Sequence, residues 1–180
     1  MKRHILIGCF AGILGLATMS HAQAIPTASR VGSIQAGVGG YLAGPDFGQG
    51  KIKGLTFYGD YDFGLNLGGE AEIHYTGFSS TDVAEDSYLF GPRYILRHKK
   101  IQGYAKALFG VGHFSLTVAG VQDPNTATYF EYALGGGVEY QATRHFNIRL
   151  IDFEAQKWPG FGKSGLSPLG GTIGVAYTFR

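Results

Sequence analysis

The sequence predicts an all-β fold, an eight-stranded antiparallel up-and-down barrel, on three observations. Apolar and polar residues alternate with a period of two along most of the chain, as in strands with one apolar face. The segments that alternate are joined by connections that are short and long in alternation. Glycine is abundant at 30 residues and charged residues make up only 16%, a composition that argues against disorder and against a helical bundle. A length of 180 residues allows one such domain.

The beginning of the chain has the features of a secretory signal peptide. Lys2 and Arg3 precede a mostly apolar run from Ile5 to Met19, and Ala22-Gln23-Ala24 supplies the small residues of a cleavage site. We therefore expect a cleaved signal peptide over residues 1–24 and a barrel domain over residues 25–180. Export would be the consequence.

Charge and cysteine content exclude two classes of protein. Loss of Lys2 and Arg3 with the signal peptide leaves 13 basic and 13 acidic residues, so the exported chain has no net charge. A basic surface for nucleic acid is therefore not expected. The only cysteine, Cys9, lies in the same segment, so the exported chain has no disulfide.

Eight stretches have the alternation and length of strands. They are residues 30–42, 51–63, 67–76, 88–97, 101–114, 129–141, 146–157 and 168–180. Each reaches the roughly 9–11 residues that a tilted strand needs to cross a bilayer. Between Arg149 and Glu154 the alternation contains one residue too many, which predicts a β-bulge near Ile151.

The positions of the aromatic residues on the apolar face indicate whether that face points into the barrel or out toward lipid. In a soluble, lipocalin-like barrel the apolar face would line a ligand cavity, whereas in a transmembrane barrel it meets lipid. Aromatic side chains gather near both ends of the strands, as in the two interfacial belts of membrane barrels. They are Tyr61, Phe63, Tyr140, Phe146, Tyr177 and Phe179 at the short-turn end, and Tyr75, Tyr88, Phe90, Tyr132 and Trp158 at the long-loop end. The sequence thus favours a transmembrane β-barrel.

The polar face then lines the interior and carries charges in the middle of strands. The charged residues expected to point inward are Glu70, Glu72, Arg93, Lys106, Glu139 and Arg149. Charges in a narrow barrel are costly to desolvate, so each needs a partner, and we expect an interior ion-pair network. An eight-stranded barrel is just wide enough for side chains to fill, so an open pore is not expected.

Two stretches resemble a known family. Gly135-Gly136-Gly137-Val138-Glu139-Tyr140, a short turn and Asn147-Ile148-Arg149-Leu150 resemble the sixth and seventh strands of the outer membrane protein A type of eight-stranded barrel. The resemblance implies that Glu139 and Arg149 belong to the interior network. Near the C-terminus, Gly174, Tyr177 and Phe179 resemble the signal that the barrel-assembly machinery reads, although Arg180 at the end departs from the final aromatic residue that is usual there.

The expected function is a structural, envelope-integrity or surface-interaction role in the outer membrane of a Gram-negative cell. Expected partners are membrane lipid, lipopolysaccharide and the assembly machinery, with the chain a monomer. Narrow, gated passage of small solutes or ions is the first alternative. A lipid-modifying enzyme is a further alternative, for which Glu72 and His74 with a loop serine, Ser79 or Ser80, form the one constellation worth naming. A soluble ligand binder is the last alternative.

We expect no catalytic residues, no cofactor and no metal. Glu70, Glu72 and His74 are weak candidates for metal ligands, because such i, i+2 spacing is common by chance.

Overall fold

A computed structural model describes residues 32–44, 51–76, 83–118, 121–122 and 127–179. The predicted signal peptide lies outside these ranges, as do Ser79 and Ser80. None of the described segments is a helix with the length and hydrophobicity needed to cross a membrane.

Antiparallel pairing closes the described strands into a barrel. The strands are β1 (Ser33–Gly44), β2 (Ile52–Gly64), β3 (Leu67–Tyr75), β4 (Val83–His98), β5 (Ile101–Val118), β6 (Val121–Gln122), β7 (Ala127–Gln141), β8 (Phe146–Lys157) and β9 (Leu169–Phe179). β6 pairs only with the end of β5. Each of the other eight pairs with the next along the chain, and β9 pairs with β1 to close the barrel. The predicted eight-stranded up-and-down barrel is confirmed.

The apolar face of the barrel points outward. Along β7, Leu134 is 60% exposed while Glu139 is 1% exposed, and the same alternation holds along the other barrel strands. A soluble ligand-binding barrel requires the opposite arrangement, with apolar residues lining the cavity. The interpretation as a soluble barrel is therefore wrong, because the residues that would have lined the cavity lie on the outer wall.

The predicted bulge in β8 is confirmed. The register with β9 shifts between Arg149 and Asp152, and Leu150 and Ile151 both face outward. The extra residue restores the inward direction at Asp152 and sends Glu154 inward after it. The bulge therefore adds two carboxylates to the interior that a simple alternation would have assigned to the outer wall.

On the side of the long loops, two strands, β4 and β5, continue well past their predicted ends, and β7 begins two residues before its predicted start. β4 begins at Val83, β5 runs to Val118 and β7 begins at Ala127. On the outer wall, the row Tyr88–Val111–Phe130 is apolar, and the next row toward the loops, Asp86–His113–Thr128, is polar. The alternation of apolar and polar residues stops before the strands end, because it depends on contact with lipid. The strands themselves stay hydrogen-bonded beyond the apolar belt.

The row Asp86–His113–Thr128 marks one edge of an apolar belt around the barrel. On β5 the belt extends from Ile101 at the short-turn end to Val111, ten residues later. At about 3.3 Å per residue and a tilt of about 40°, this spacing corresponds to roughly 25 Å across a membrane. This is the height of the apolar band of outer-membrane barrels.

Candidate functional site

The barrel interior holds one extended network of buried charges, and Glu85 and Glu131 are buried outside it, nearer the loops. Among the residues the structure describes, six buried carboxylates surround three buried cations between the short-turn end and the middle of the barrel. The carboxylates are Asp60, Glu70, Glu72, Glu139, Asp152 and Glu154, and the cations are Arg93, Lys106 and Arg149. All six residues predicted from the sequence lie in this network. Asp60, Asp152 and Glu154 were not predicted to take part.

Arg149 on β8 lies at the centre of the network. Its Nη1 donates hydrogen bonds to Glu70 at 2.8 Å, to Glu72 at 2.7 Å and to Asp152 at 2.9 Å. The guanidinium carbon lies 3.6 Å above the centre of the Tyr58 ring. The side chain therefore joins β8 to β3 across the barrel and packs its flat face on an aromatic ring.

Arg93 on β4 makes the second set of contacts. Its Nη1 lies 2.6 Å from Asp60, and its Nη2 lies 2.9 Å from Glu139. The guanidinium lies 3.8 Å above the ring of Tyr104. This arginine thus connects β4 to β2 and β7 through the interior.

Lys106 on β5 is the third cation. Its Nζ donates to Glu72 and to Asp152, each at 2.7 Å, and lies 2.5 Å from Glu154. Three cations on β4, β5 and β8 therefore hold carboxylates from β2, β3, β7 and β8. The ion-pair network therefore couples strands that are not hydrogen-bonded to each other in the sheet.

Glycines on the inner wall make space for the large interior side chains. A Cβ atom at Gly37 would meet the ring of Tyr58, and one at Gly137 would meet the hydroxyl end of Tyr104. These two rings are the ones on which Arg149 and Arg93 stack. Small residues on one strand therefore position the arginines on others.

The network contains more carboxyl groups than permanent cations. The six carboxylates outnumber the three permanent cations, and His74 is the next ionisable group beside them. Within the described part of the chain, Asp60 Oδ1, Glu70 Oε2, Glu139 Oε2 and Asp152 Oδ1 accept no hydrogen bond. Because buried charge is costly without compensation, this interior favours cations.

A second closure lies at the loop end of the barrel. Trp158 follows β8 in a hairpin held by its pairing with Leu166, and its indole is fully buried. It packs with Phe114, Leu166, Tyr129 and Phe161. A Cβ atom at Gly112 would meet the indole ring, so this glycine makes the space that Trp158 fills.

The prediction that Trp158 lies at the membrane interface is therefore wrong. Asp152, Glu154, Gln156 and Trp158 all point inward once the bulge has shifted the alternation. Continuing the period of two past the bulge would have identified Trp158 as an interior residue.

The other ten predicted interface aromatics lie on the outer wall. Eight are exposed, namely Tyr61, Phe63, Tyr75, Tyr88, Phe90, Phe146, Tyr177 and Phe179. Tyr132 and Tyr140 are half-buried among their neighbours. At the short-turn end, the rings of Phe146 and Tyr177 are 5.4 Å apart and those of Tyr177 and Phe179 are 5.0 Å apart. Two residues of the predicted assembly signal thus belong to this aromatic cluster, while Gly174 lies against Val38 and Gly39 of β1.

His74, the histidine of the candidate catalytic group, lies inside the barrel. His74 is buried, with Nδ1 at 2.8 Å from Thr56 Oγ1 and Nε2 at 3.1 Å from Glu154 Oε2. Its ring stacks on Tyr41 with the centroids 4.3 Å apart. His74 therefore belongs to the interior network and not to the outer wall, where lipid would meet it.

Comparison with solved structures identifies similar barrels in several bacteria. Ail, the attachment invasion locus protein of Yersinia pestis, is 18% identical, with 82% of this chain and 97% of that chain covered at a TM-score of 0.53. Neisserial surface protein A is 15% identical, with 83% and 96% covered at 0.56. The N-terminal β-barrel domain of Pseudomonas aeruginosa OprF is 13% identical, with 82% and 97% covered at 0.57. At these identities the likeness shows the fold.

A family model decides the relationship that the sequence motifs indicated. No match was found among curated protein sequences. The model for the outer membrane protein beta-barrel domain matches residues 9–179. This range includes the interior network, the aromatic belts and all barrel strands. The chain is therefore a member of the outer membrane protein β-barrel domain family, and it is an outer-membrane barrel.

Proposed function

We propose that the chain is exported by its N-terminal signal peptide and serves the outer membrane as a structural and surface-contact protein, not as an enzyme or an open pore. The observation that carries this proposal is the wall formed by β4, β5 and β7. β4 and β5 stay paired past the polar row Asp86–His113–Thr128, which marks the edge of the apolar belt, and β7 pairs with β5 for one residue beyond it. The wall is therefore a hydrogen-bonded surface on the loop side of the membrane, available for contact with other molecules.

The filled interior supports the same proposal. The ion-pair network fills the barrel from the short-turn end to its middle, and the Trp158 cluster fills the loop end. Two closures in series leave the outer surface, rather than the lumen, as the place for function. Ail carries the description of an attachment invasion locus protein, and the fold it shares with this chain makes surface contact the first role to test.

The proposed partners follow from the surface. Lipid acyl chains surround the apolar belt, and lipopolysaccharide surrounds its loop-side edge. Lys51 and Lys53 are exposed at the loop end of β2, where lysine side chains reach headgroup phosphates. The barrel-assembly machinery is the proposed partner during insertion, through Gly174, Tyr177 and Phe179. In the membrane the chain acts as a monomer.

Gated passage of small cations is the second candidate. The specific observation in its favour is the excess of buried carboxylates over buried cations in the interior, because a lining of that sign attracts cations. Passage would require both the ion pairs and the Trp158 cluster to rearrange. It is therefore proposed as a minor activity.

The proposal is tested on intact cells. An epitope inserted between Gly162 and Lys163, at the exposed tip of the hairpin after β8, is expected to bind antibody without permeabilising the cells. A deletion strain is expected to lose detergent resistance or attachment to surfaces, and the wild-type gene is expected to restore it. An epitope that is reached only after permeabilisation, or a deletion strain that matches its parent in both assays, would contradict the proposal.

A further inference from the structure

The upper edge of the ion-pair network contains three side chains with the chemistry of a metal site. Glu72, His74 and Glu154 each present one ligand atom, and these atoms lie within 4.8 Å of one another. His74 Nε2 is 3.1 Å from Glu154 Oε2 and 3.7 Å from Glu72 Oε2. All three side chains are almost completely buried.

We propose that Glu72, His74 and Glu154 bind a divalent transition-metal cation of the Zn²⁺ type inside the barrel. Imidazole and carboxylate are the ligands that Zn²⁺ takes from proteins, at about 2.0–2.2 Å. Tetrahedral ligands at that bond length lie about 3.3–3.6 Å apart. The two distances from His74 Nε2 are close to this range, so the ligands need only small movements to close on the ion.

The neighbours of His74 can set the protonation state that a metal requires. A metal on Nε2 requires the proton on Nδ1, and metal-binding histidines usually donate that proton to a fixed acceptor. Thr56 Oγ1 lies 2.8 Å from Nδ1, and Thr172 Oγ1 lies 3.1 Å from Thr56 Oγ1. When Thr56 Oγ1 accepts the Nδ1 proton, its own hydroxyl can donate to Thr172 Oγ1, so both Nδ1 and the Thr56 hydroxyl have a partner.

The two carboxylates are held by their other oxygen atoms. Arg149 Nη1 donates to Glu72 Oε1 at 2.7 Å, and Lys106 Nζ lies 2.5 Å from Glu154 Oε1. Glu154 Oε2 faces His74 Nε2 at 3.1 Å, whereas Glu72 Oε2 lies 3.7 Å from Nε2 and accepts a hydrogen bond from Lys106 at 2.7 Å. Metal binding would displace Lys106 from Glu72 Oε2, and Lys106 would keep its contacts with Glu154 and Asp152.

The charge balance of the interior supplies an independent reason for a cation. Six buried carboxylates share three permanent cations, and four carboxylate oxygens of the adjoining network accept no hydrogen bond in the described part of the structure. A divalent ion at the edge of the network would compensate the two carboxylates that bind it. The neighbouring group of Glu70, Glu72 and Asp152 differs, because it has no imidazole and both Arg149 and Lys106 contact its oxygens. At the ligand atoms of the proposed site, the cation to be displaced is Lys106, at Glu72 Oε2.

Zinc retention after refolding tests the proposal. The chain is unfolded in urea with a chelator, refolded in detergent with Zn²⁺ alone, separated from free ion by gel filtration and analysed for zinc. Refolding with Co²⁺ gives a second readout, since visible absorption reports tetrahedral coordination. The expected result is one ion per folded chain, with His74→Gln and Glu154→Gln reducing the affinity at least tenfold.

Two further variants make the test decisive. Thr56→Val keeps all three ligands and removes the acceptor for Nδ1, so the affinity is expected to fall roughly 10–100-fold. His98→Gln, at an exposed turn, is the matched control and is expected to bind as the wild type does. Folding of each variant is checked by its shift on an unboiled gel. Absence of zinc from folded wild-type protein, or equal binding by folded Thr56→Val and wild type, would overturn the proposal.

Discussion

Arg149 donates a hydrogen bond from Nη1 to Oε1 of Glu72 at 2.7 Å, although the two residues are 77 positions apart and their strands are not neighbours in the sheet. The contact crosses the barrel interior and joins β8 directly to β3. Hydrogen bonds of the sheet couple each strand only to the two beside it. Interior ion pairs therefore supply the coupling across the barrel that the sheet cannot provide.

Loss of the central arginine is expected to destabilise the barrel strongly. Arg149→Gln removes the cation shared by Glu70, Glu72 and Asp152 and leaves buried charge uncompensated. The expected loss of unfolding free energy is about 3–5 kcal/mol. Urea unfolding in lipid bilayers, followed by mobility on an unboiled gel, measures it.

Arg97→Gln provides the matched control for this prediction. Arg97 pairs with Asp62 at 2.6 Å, but its side chain is 25% exposed near the short turns. Solvent screens this pair, so the expected cost is about 0–1 kcal/mol. Equal losses in the two variants would show that the interior network does not hold the barrel together.

Gly112→Val is expected to move Trp158 out of the barrel mouth. The indole occupies the space that a side chain at position 112 would need. Because Trp158 is the only tryptophan in the chain, its fluorescence reports this one site. We expect blue-shifted emission from the wild type and a shift to longer wavelength in Gly112→Val.

Gly40→Ala is the control for the fluorescence experiment. A Cβ atom at Gly40 meets nothing within 4 Å, and the residue lies on the outer wall. Its emission is expected to match that of the wild type. Emission at a solvent-exposed wavelength from the wild type itself would contradict the burial of Trp158.

A charge placed on the outer wall is expected to map the edges of the apolar belt. Leu134 lies within the belt, and Thr128 lies in the polar row beyond its edge on the same strand. Leu134→Arg is expected to cost about 2–4 kcal/mol in a bilayer, whereas Thr128→Arg is expected to cost about 0–1 kcal/mol. Equilibrium folding into lipid vesicles measures both, and similar costs would mean that the belt edge has been placed wrongly.

The strand pattern could be read from the sequence because lipid contact and strand geometry impose the same period of two. Leu134 and Glu139 illustrate this, since their opposite faces follow from an odd separation along one strand. The bulge at Ile151 was also predictable, because an extra residue interrupts the alternation. The extended ends of β4, β5 and β7 were not predictable, since both faces become polar outside the lipid.

The site could be predicted only in part. Alternation identified which charged residues point inward, but not which of them form ion pairs. Arg149 and Glu72 come into contact only because the sheet closes into a barrel. Glu154 lies 80 residues from His74, so their contact also depends on barrel closure. Trp158 was missed for a different reason: the bulge reversed the alternation before the predicted strand ended.

Conductance of the wild-type protein in planar lipid bilayers tests most directly the claim that the barrel is filled and acts through its outer surface. The account predicts no steady conductance, because the ion-pair network and the Trp158 cluster close the interior in series. It also predicts that Trp158→Ala stays closed, since the ion pairs remain. A steady, cation-selective conductance of the wild type would contradict the account and make passage the main function.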